Sequence, residues 1–410
     1  MLRIFPWAGG ARRMREGQMG LWAWGFVYAA IAACAACSSS SSNGGGGAGG
    51  DEAGVGGGGG GPSGCDSVVV ADPDLMAGFG VALASIGDVL YVLKDSGTRR
   101  IVQVLQADQL QDVVGFDGMP TLYPGGAALV ANLNGFYFDA NSATARSIYR
   151  APPSGGTVSL LADLSDPASH LSPPFVADGT SLYTRGAAPN DDSLVRIPQN
   201  ADADAGVTAT PIGNVFASDV SSEDDTSQPS YAMAISSSYV FTATGAATVT
   251  ATPIVSSDAG TDTSDGGSST PEAGAVSTPP ISARFALAGC DGSLSAMAVA
   301  DSAVLMGCLS ADFTLRAIYQ APLPSAWSGA TGAVTAATQV VSGNGINSKI
   351  FAVHGNNLYY VNDADPALYR LPIGGGEKVK IMTTHSVQRM VITNSAVFVL
   401  STCGLQKASL

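Results

Sequence analysis

The chain has 410 residues, of which 46% are hydrophobic and only 13% charged, and its formal net charge is −14. This composition excludes charge-rich disorder for the bulk of the chain, and the 19 Lys and Arg residues are spread along it, which argues against a nucleic-acid partner. The 51 glycines, together with abundant Ser, Thr and Val, favour β-structure with many turns.

Residues 1–33 have the pattern of a signal peptide. Several arginines precede an apolar run from Leu21 to Ala33, which has 13 residues. A helix that spans a bilayer needs about 20 apolar residues, so this run is too short to be one. We therefore predict an exported protein.

The apolar run ends in Ile31-Ala32-Ala33-Cys34, which resembles the bacterial lipobox, an aliphatic residue and two small residues before the cysteine that receives the lipid. We predict that Cys34 is lipidated. Cys37 is a second candidate, and the alternative is an ordinary secretory signal with both thiols unmodified.

Residues 34–64 form a Gly/Ser-rich segment that predicts a disordered, flexible tether. A tether directly after a lipidated cysteine would hold a domain at a membrane surface, and stable anchoring needs more than one acyl chain. These features predict a lipoprotein of the bacterial cell envelope, placed at the outer membrane or cell surface rather than at the cytoplasmic membrane.

From residue 65 to residue 410 the chain repeats one unit. The first recurring feature of the unit is a pair of adjacent residues, at least one of them large. The pair follows a polar turn such as Asp178-Gly179, and its second member lies five or six positions after a small or aliphatic residue. Short apolar runs joined by such turns predict hairpins. The seven pairs are Leu90-Tyr91, Phe136-Tyr137, Leu182-Tyr183, Tyr239-Val240, Val304-Leu305, Leu358-Tyr359 and Val397-Phe398.

A second mark follows 10 to 14 residues later, and it is a predicted strand that ends in proline. Proline removes a donor from the sheet, so its recurrence marks strand ends. A Gly-Gly and a fourth apolar strand follow in the clearest units. The five prolines are Pro152, Pro198, Pro253, Pro322 and Pro372.

Four strands per unit, repeated about every 46 residues, predict an all-β protein: a seven-bladed β-propeller of four-stranded blades. Helical solenoids are disfavoured because no useful length has the three-and-four spacing of a helix. Two low-complexity inserts lengthen the period, at residues 199–206 and 256–280, and we predict that the second is a disordered loop.

The repeat unit, with its Leu-Tyr pair and its Leu-Tyr-Arg-x-Pro-x-Gly-Gly segment, resembles the repeats of bacterial YWTD-related and TolB-like propellers, which have six to eight blades. Many such units occur in predicted lipoproteins. No unit of this chain carries the full Tyr-Trp-Thr-Asp signature. The resemblance therefore implies the fold and no particular ligand.

No catalytic, cofactor or metal set is recognisable in the sequence. The three histidines are His170, His354 and His385, and His354 occupies a predicted turn. Asn200, Asp202 and Asp204 alternate as in a calcium loop, but the glycine comes one place late and Pro211 replaces the expected glutamate. We predict no catalytic residue, no metal and no cofactor.

Two sets of residues recur at fixed repeat positions. Arg150, Arg196 and Arg370 could form a ring of cations for an anionic ligand, but the preferred interpretation is a solvated charge at each blade's edge. The second set could stack against a sugar, although packing between blades is preferred. Its members are Tyr91, Tyr137, Tyr183 and Tyr359.

Four cysteines remain, Cys65, Cys290, Cys308 and Cys403, and they allow three pairings or four free thiols. The seventh unit has room for only three strands, so we predict that residues 67–71 supply its fourth and close the ring. That strand would bring Cys65 to Cys403. It would leave Cys290 to pair with Cys308, across two strands of neighbouring blades.

These patterns predict a monomeric, non-enzymatic binding or scaffolding module for an unidentified protein, peptide or glycan, with the membrane contacted through the N-terminal lipid. The alternative is a propeller enzyme, a lyase or hydrolase with its site at the central channel. A component of a larger envelope complex is a third possibility.

Overall fold

The computed structural model describes residues 64–76, 81–95, 99–117, 128–141, 146–163, 175–185, 193–200, 210–214, 232–244, 248–254, 283–286, 290, 292–310, 316–323 and 337–410. The predicted signal peptide, Cys34, the tether up to residue 63 and the insert 256–280 lie outside the described residues.

The described residues form seven antiparallel sheets of four strands each, which confirms the predicted seven-bladed β-propeller. Six of the sheets contain four strands that are consecutive in the chain. The seventh contains the last three strands and the first one.

The first strand of each blade lies nearest the centre, because first strands of neighbouring blades contact one another around most of the ring, including those of blades 7 and 1. In blade order they are β2 (Ala82–Ile86), β6 (Leu129–Asn132), β10 (Val176–Ala177), β14 (Ala232–Ile235), β18 (Ser293–Val299), β22 (Ile346–His354) and β26 (Arg389–Ile392).

The second strands carry the repeated pairs that mark each unit in the sequence. They are β3 (Val89–Asp95), β7 (Gly135–Asn141), β11 (Ser181–Arg185), β15 (Tyr239–Thr244), β19 (Ala303–Leu309), β23 (Asn357–Asn362) and β27 (Ala396–Ser401). All side chains of β19 and β27 are buried. A blade is covered on both faces by its neighbours, so its second strand is a continuous apolar run rather than an alternating one.

Five of the third strands end at or just before the recurring prolines. The third strands are β4 (Arg99–Gln106), β8 (Arg146–Ala151), β12 (Ser193–Pro198), β16 (Thr248–Pro253), β20 (Arg316–Pro322), β24 (Ala367–Pro372) and β28 (Gly404–Ser409). The fourth strands are outermost, and they are β5 (Gln109–Asp117), β9 (Ser159–Asp163), β13 (Thr210–Asn214), β17 (Ala283–Ala286), β21 (Thr338–Ser342), β25 (Val379–Thr383) and β1 (Val68–Val70).

The core is divided among the blade junctions, because each of the seven junctions holds its own apolar cluster. At the junction of blades 2 and 3, for example, Tyr137 and Ile148 of one blade pack with Leu182 and Ile197 of the next. Burial of these side chains between sheets is the main stabilising contribution that one blade receives from another.

The ring is closed as predicted by an N-terminal strand. Strand β1 pairs antiparallel with β28, with Val68 opposite Gln406 and Val70 opposite Leu405. Gly404, at the start of β28, has φ +102°, and a Cβ at this position would lie 2.4 Å from the carbonyl oxygen of Val70. Glycine is therefore required for the close approach of the two strands.

Asp66 fastens the residues before β1 to blade 6. The backbone N–H of Thr383 donates to the Asp66 carboxylate at 2.8 Å, and the side-chain amide of Gln406 donates to the Asp66 carbonyl oxygen at 2.6 Å. The hydrogen bonds with Thr383 lower the pKa of the Asp66 carboxyl group.

Two disulfides join the same pairs of cysteines that the sequence predicts. Cys65 is bonded to Cys403, with their Cα atoms 5.9 Å apart, and Cys290 is bonded to Cys308, with Cα atoms 6.0 Å apart. The predicted location of the second bond is wrong. Cys308 lies in β19, and Cys290 lies in the connection just before β18 of the same blade, so the bond does not join strands of two blades.

Helix α1 (Pro73–Met76) connects β1 to blade 1. Its Leu75 is fully buried in the cluster between blades 7 and 1. Lys94 lies 3.0 Å from Asp72 and 2.9 Å from Asp74, so the connection is also held by ion pairs. In the described part of the chain, no helix has the length and apolar character needed to cross a bilayer.

Candidate functional site: a polar cleft between blades 2 and 3

The repeated tyrosines pack between blades, which confirms the preferred interpretation. Tyr137, Tyr183 and Tyr359 are almost completely buried, and each contributes to the apolar cluster shared with the following blade. Tyr91 is half-buried, with its ring centroid 4.7 Å from that of Phe136 in the next blade. Burial raises the pKa of Tyr137.

The repeated arginines do occupy one structural position, but the predicted edge location is wrong. Arg150, Arg196 and Arg370 lie opposite the tyrosines of the second strands, in third strands that pair on both sides. Arg196 donates to the Ser181 hydroxyl at 2.8 Å. The innermost strands are the first strands, so the arginines do not form a ring around the channel.

Gln199 is the central residue of a polar cluster at the junction of blades 2 and 3. Its side-chain oxygen accepts hydrogen bonds from Asn132 (3.1 Å), Asn134 (3.0 Å) and the Tyr137 hydroxyl (3.1 Å) of blade 2. Its side-chain NH2 donates to the carbonyl oxygens of Asp178 and Ser181 in blade 3. One buried amide therefore joins the two blades with all of its hydrogen-bonding capacity in use.

The corresponding position is aliphatic in four other blades. The backbone N–H of Gln199 donates to Thr180, and the equivalent bonds to the matching turn residues of their own blades are made by Ile254, Leu323, Ile373 and Leu410. Blade 3 thus carries a glutamine where those blades carry an aliphatic side chain. This substitution makes the junction of blades 2 and 3 polar.

Beside Gln199 is a cleft with a volume of about 200 Å³. It lies where the turns between first and second strands meet the ends of third strands, and every described residue that lines it is polar or glycine. These residues are Asn134, Arg150, Gly179, Thr180, Gln199 and Asn200. The Arg150 guanidinium and the carboxamides of Asn134 and Asn200 can recognise an anionic or hydroxylated group.

The turn that borders the cleft is held rigidly by Asp178. Its carboxylate accepts hydrogen bonds from the backbone N–H groups of Thr180 and Ser181, from the Thr180 hydroxyl and from the Tyr183 hydroxyl at 2.7 Å. Burial acts against ionisation, but these hydrogen bonds outweigh it and lower the pKa of Asp178. The carboxylate oxygens are therefore already hydrogen-bonded within blade 3. The Gly179 carbonyl oxygen of the same turn accepts a hydrogen bond from the Asn134 side-chain amide at 2.7 Å.

A second, wider cleft of about 470 Å³ lies near blades 6 and 7, among turns on the other side of the ring. His385, Ser386 and Asp363 line it. The Asp363 carboxylate accepts from the Asn347 amide at 3.4 Å and lies 3.9 Å from Arg316. Among the described residues, no hydrogen bond or ion pair joins His385 to Asp363.

His354 is the last residue of β22, opposite Asn357, and therefore lies at a strand end rather than in a turn. His170, Asp202 and Asp204 lie outside the described residues. Within the described ranges, no three or more His, Cys, Asp or Glu side chains form a group that could hold a metal ion.

Sequence reasoning missed Gln199, because this residue falls at the start of the low-complexity insert 199–206. A signal was nevertheless present. Aligning the units on their prolines puts Gln199 opposite Ile254, Leu323 and Ile373, so the polar exception can be read from the repeat pattern alone.

No protein-family model and no curated protein sequence matches the chain. Several solved structures are similar. BamB from Moraxella catarrhalis is 12% identical with a TM-score of 0.45, and the similarity covers 80% of this chain and 83% of that one. Apo AztD from Citrobacter koseri is 9% identical with a TM-score of 0.44, and the similarity covers 78% and 79%. Kluyveromyces lactis Hsv2 is 8% identical with a TM-score of 0.41, and the similarity covers 78% and 88%.

Proposed function

We propose that this protein is an exported, envelope-anchored binding or scaffolding module whose ligand is held in the cleft between blades 2 and 3. The ligand is a protein, peptide or glycan. The relation to YWTD-related and TolB-like propellers stays a prediction that rests on the repeat pattern.

The observation that carries the proposal is the arrangement around Gln199. At the equivalent position of other blades the side chain is aliphatic, as at Ile254, Leu323 and Ile373. A buried amide in that position gains little net stability, since it exchanges hydrogen bonds with water for hydrogen bonds within the protein. Its distinct effect is to hold the Asn134 side chain in place beside an open cleft, as a pre-organised binding site requires.

The envelope location is supported by two independent features of the chain. The Ile-Ala-Ala-Cys segment precedes a long Gly/Ser-rich segment, and this order resembles that of bacterial lipoproteins. Two disulfides join the four cysteines of the propeller, and disulfides persist mainly outside the cytosol.

Metabolic labelling with a fatty-acid analogue tests the anchor. We expect the wild type to be labelled and recovered with membranes, and Cys34→Ala to lose the label and become soluble. Cys37→Ala is the control and should keep the label. Label that persists in the double variant would rule out lipidation at either cysteine.

Binding to glycan and peptide arrays tests the cleft. The full chain is used in detergent, alongside Gly179→Phe as a blocked variant. A Cβ at Gly179 would meet no atom within 4 Å, so the new ring can enter the cleft without a backbone clash. We expect array signals that the blocked variant lacks at an unchanged melting temperature. Signals that are equal in both proteins, or no signal in either, would contradict the proposed site.

A further inference from the structure

Arg150 lines the polar cleft between blades 2 and 3, which the equivalent residues Arg196 and Arg370 do not line. It is half-buried, and among the described residues no carboxylate lies within ion-pairing distance of it. The nearby acid Asp178 is already engaged by four hydrogen bonds within its own turn. Arg150 therefore brings a permanent positive charge with unused donor capacity to the lining of the cleft.

The groups around Arg150 are suited to hydroxyls. The carboxamide of Asn200 can both donate and accept, whereas Asn134 and Thr180 already donate within the protein and offer acceptor oxygens, so together they can receive and satisfy sugar hydroxyls. The volume of about 200 Å³ is below the roughly 300–1,000 Å³ of sites for larger ligands. It therefore fits one residue of a chain, such as a single monosaccharide.

The geometry does not favour an extended peptide. The four strands whose ends form the cleft, β7, β8, β11 and β12, are each paired on both sides. A peptide could not extend the sheet there, because strand addition needs a free edge. The described lining also offers no apolar pocket for a side chain.

The net charge of −14 does not prevent an anion from binding at this site. Charges more than about 8 Å away are largely screened at physiological ionic strength, so the local guanidinium dominates. Arginine binds a carboxylate through two parallel N–H donors, which adds directional specificity to the attraction.

We propose that the cleft binds a carboxylate-bearing sugar, one acidic monosaccharide unit of a glycan. Arg150 takes the carboxylate, and Asn134, Thr180 and Asn200 take the hydroxyls. This inference rests on the proposed binding function and specifies its ligand class.

Titration calorimetry of the full chain in detergent tests the inference, with glucuronate, galacturonate, glucose and glutamate as probes. We expect one of the two uronates to bind, and glucose and glutamate to bind at least tenfold more weakly. Arg150→Met should weaken uronate binding by roughly 10- to 100-fold, the range of a charge-assisted hydrogen-bonded pair. Arg150→Lys should fall between, since it keeps the charge without the two-donor geometry.

Arg370→Met is the matched control, since Arg370 has the same repeat position in blade 6 and does not line this cleft. It should bind uronate as the wild type does. Equal binding of glutamate and uronate would replace the sugar with a peptide acid and overturn the inference. Neutral glycans that bind on arrays, with no uronate binding, would overturn the ligand class while leaving the binding function intact, whereas silence in both assays would overturn both.

Discussion

The junction of blades 7 and 1 and the junction of blades 2 and 3 have different structural roles. The first joins the two ends of the ring through a buried apolar cluster that includes Leu75 and Phe398, and blade 7 beside it is completed by the pairing of β1 with β28 and by the Cys65–Cys403 disulfide. The second joins two blades that are consecutive in the chain, and it adds a polar cluster around Gln199 to its apolar cluster.

The comparison separates residues that secure the ring from residues that are available for binding. Strand β1 has only three residues, so its few backbone hydrogen bonds need a covalent bond to hold it. Blades 2 and 3 are consecutive in the chain, so their junction needs no cross-link between its two ends. Unlike the junctions that carry Ile254, Leu323 or Ile373, it has a buried amide and polar groups beside an open cleft.

The largest effect should come from removing the closing disulfide. Its cysteines are 338 positions apart, and cross-linking a loop of that length removes on the order of 5 kcal/mol of unfolded-state entropy in the chain-entropy model. We expect Cys65→Ser with Cys403→Ser to lower the free energy of unfolding by up to that amount, as measured by urea titration.

Cys290→Ser with Cys308→Ser is the matched control. These cysteines are 18 positions apart, for which the same model gives about 3 kcal/mol. A closing-disulfide variant as stable as the wild type would show that β1 and its hydrogen bonds suffice to close the ring.

An intermediate effect should come from Gln199→Leu, which restores an aliphatic side chain at this position. The Tyr137 hydroxyl, the side-chain amides of Asn132 and Asn134 and two carbonyls would lose a partner. Each buried unsatisfied group costs about 1–3 kcal/mol, and the exposed ones can turn to water. We expect a loss of about 2 kcal/mol in chemical denaturation.

The control for Gln199→Leu is Ile254→Leu, a volume-conserving change at the same position of blade 4 that should cost less than about 1.5 kcal/mol. If Gln199→Leu is instead more stable than the wild type, the polar cluster does not hold blades 2 and 3 together.

A smaller, pH-dependent effect should come from Asp66→Asn. The hydrogen bonds with Thr383 lower the pKa of Asp66 in the folded protein, so the ionised form stabilises the fold. This contribution is fully present above the unfolded pKa of about 3.9 and is lost as the pH falls through the lower folded value.

Calorimetry from pH 3 to pH 7 measures this contribution. The wild type should melt slightly higher than Asp66→Asn above about pH 5, since solvent screens this exposed carboxylate, and the difference should shrink below about pH 4. Asp88→Asn, an exposed change in the turn after β2, should show no such convergence. A constant difference across the pH range would argue against the role assigned to the carboxylate.

The smallest effect should follow replacement of residues 256–280 by a short Gly-Ser link. The segment has almost no large apolar side chains, so its removal loses little burial, and a shorter loop costs little closure entropy. We expect a melting temperature within a few degrees of the wild type by scanning fluorimetry. A collapse of stability would show that the segment packs against the propeller.

Much of the fold could be predicted because each repeat unit is subject to the same physical constraints, so the same residue pattern recurs along the chain. Pairs such as Leu358-Tyr359 recur because every second strand is covered on both faces, and Pro372 and its equivalents recur because a third strand must stop where the turn begins. The closing strand followed from simple counting, since the last unit had three strands and an unpaired edge is unfavourable.

The site could not be predicted to the same degree. Arg150, Arg196 and Arg370 are equivalent in sequence, but Arg196 is bonded to Ser181 while Arg150 lines a cleft. The bond of Arg196 lies within its own blade, but the cleft beside Arg150 is completed by the neighbouring blade 3, whose lining residues lie some 30 to 50 positions away in the chain. The same limitation explains the error on Cys290, because a connection between two blades can fold back onto either of them.

The sequence by itself determined the local and repeated features: the seven units, the four strands in each, the turns between them and the need for a strand from the N-terminus. Only the tertiary structure decided which polar residues meet across a junction, because a contact between blades depends on their relative packing and not on the pattern within either one. Gln199, Asn134 and Arg150 become one site for that reason, although Gln199 and Asn134 are 65 positions apart in the chain.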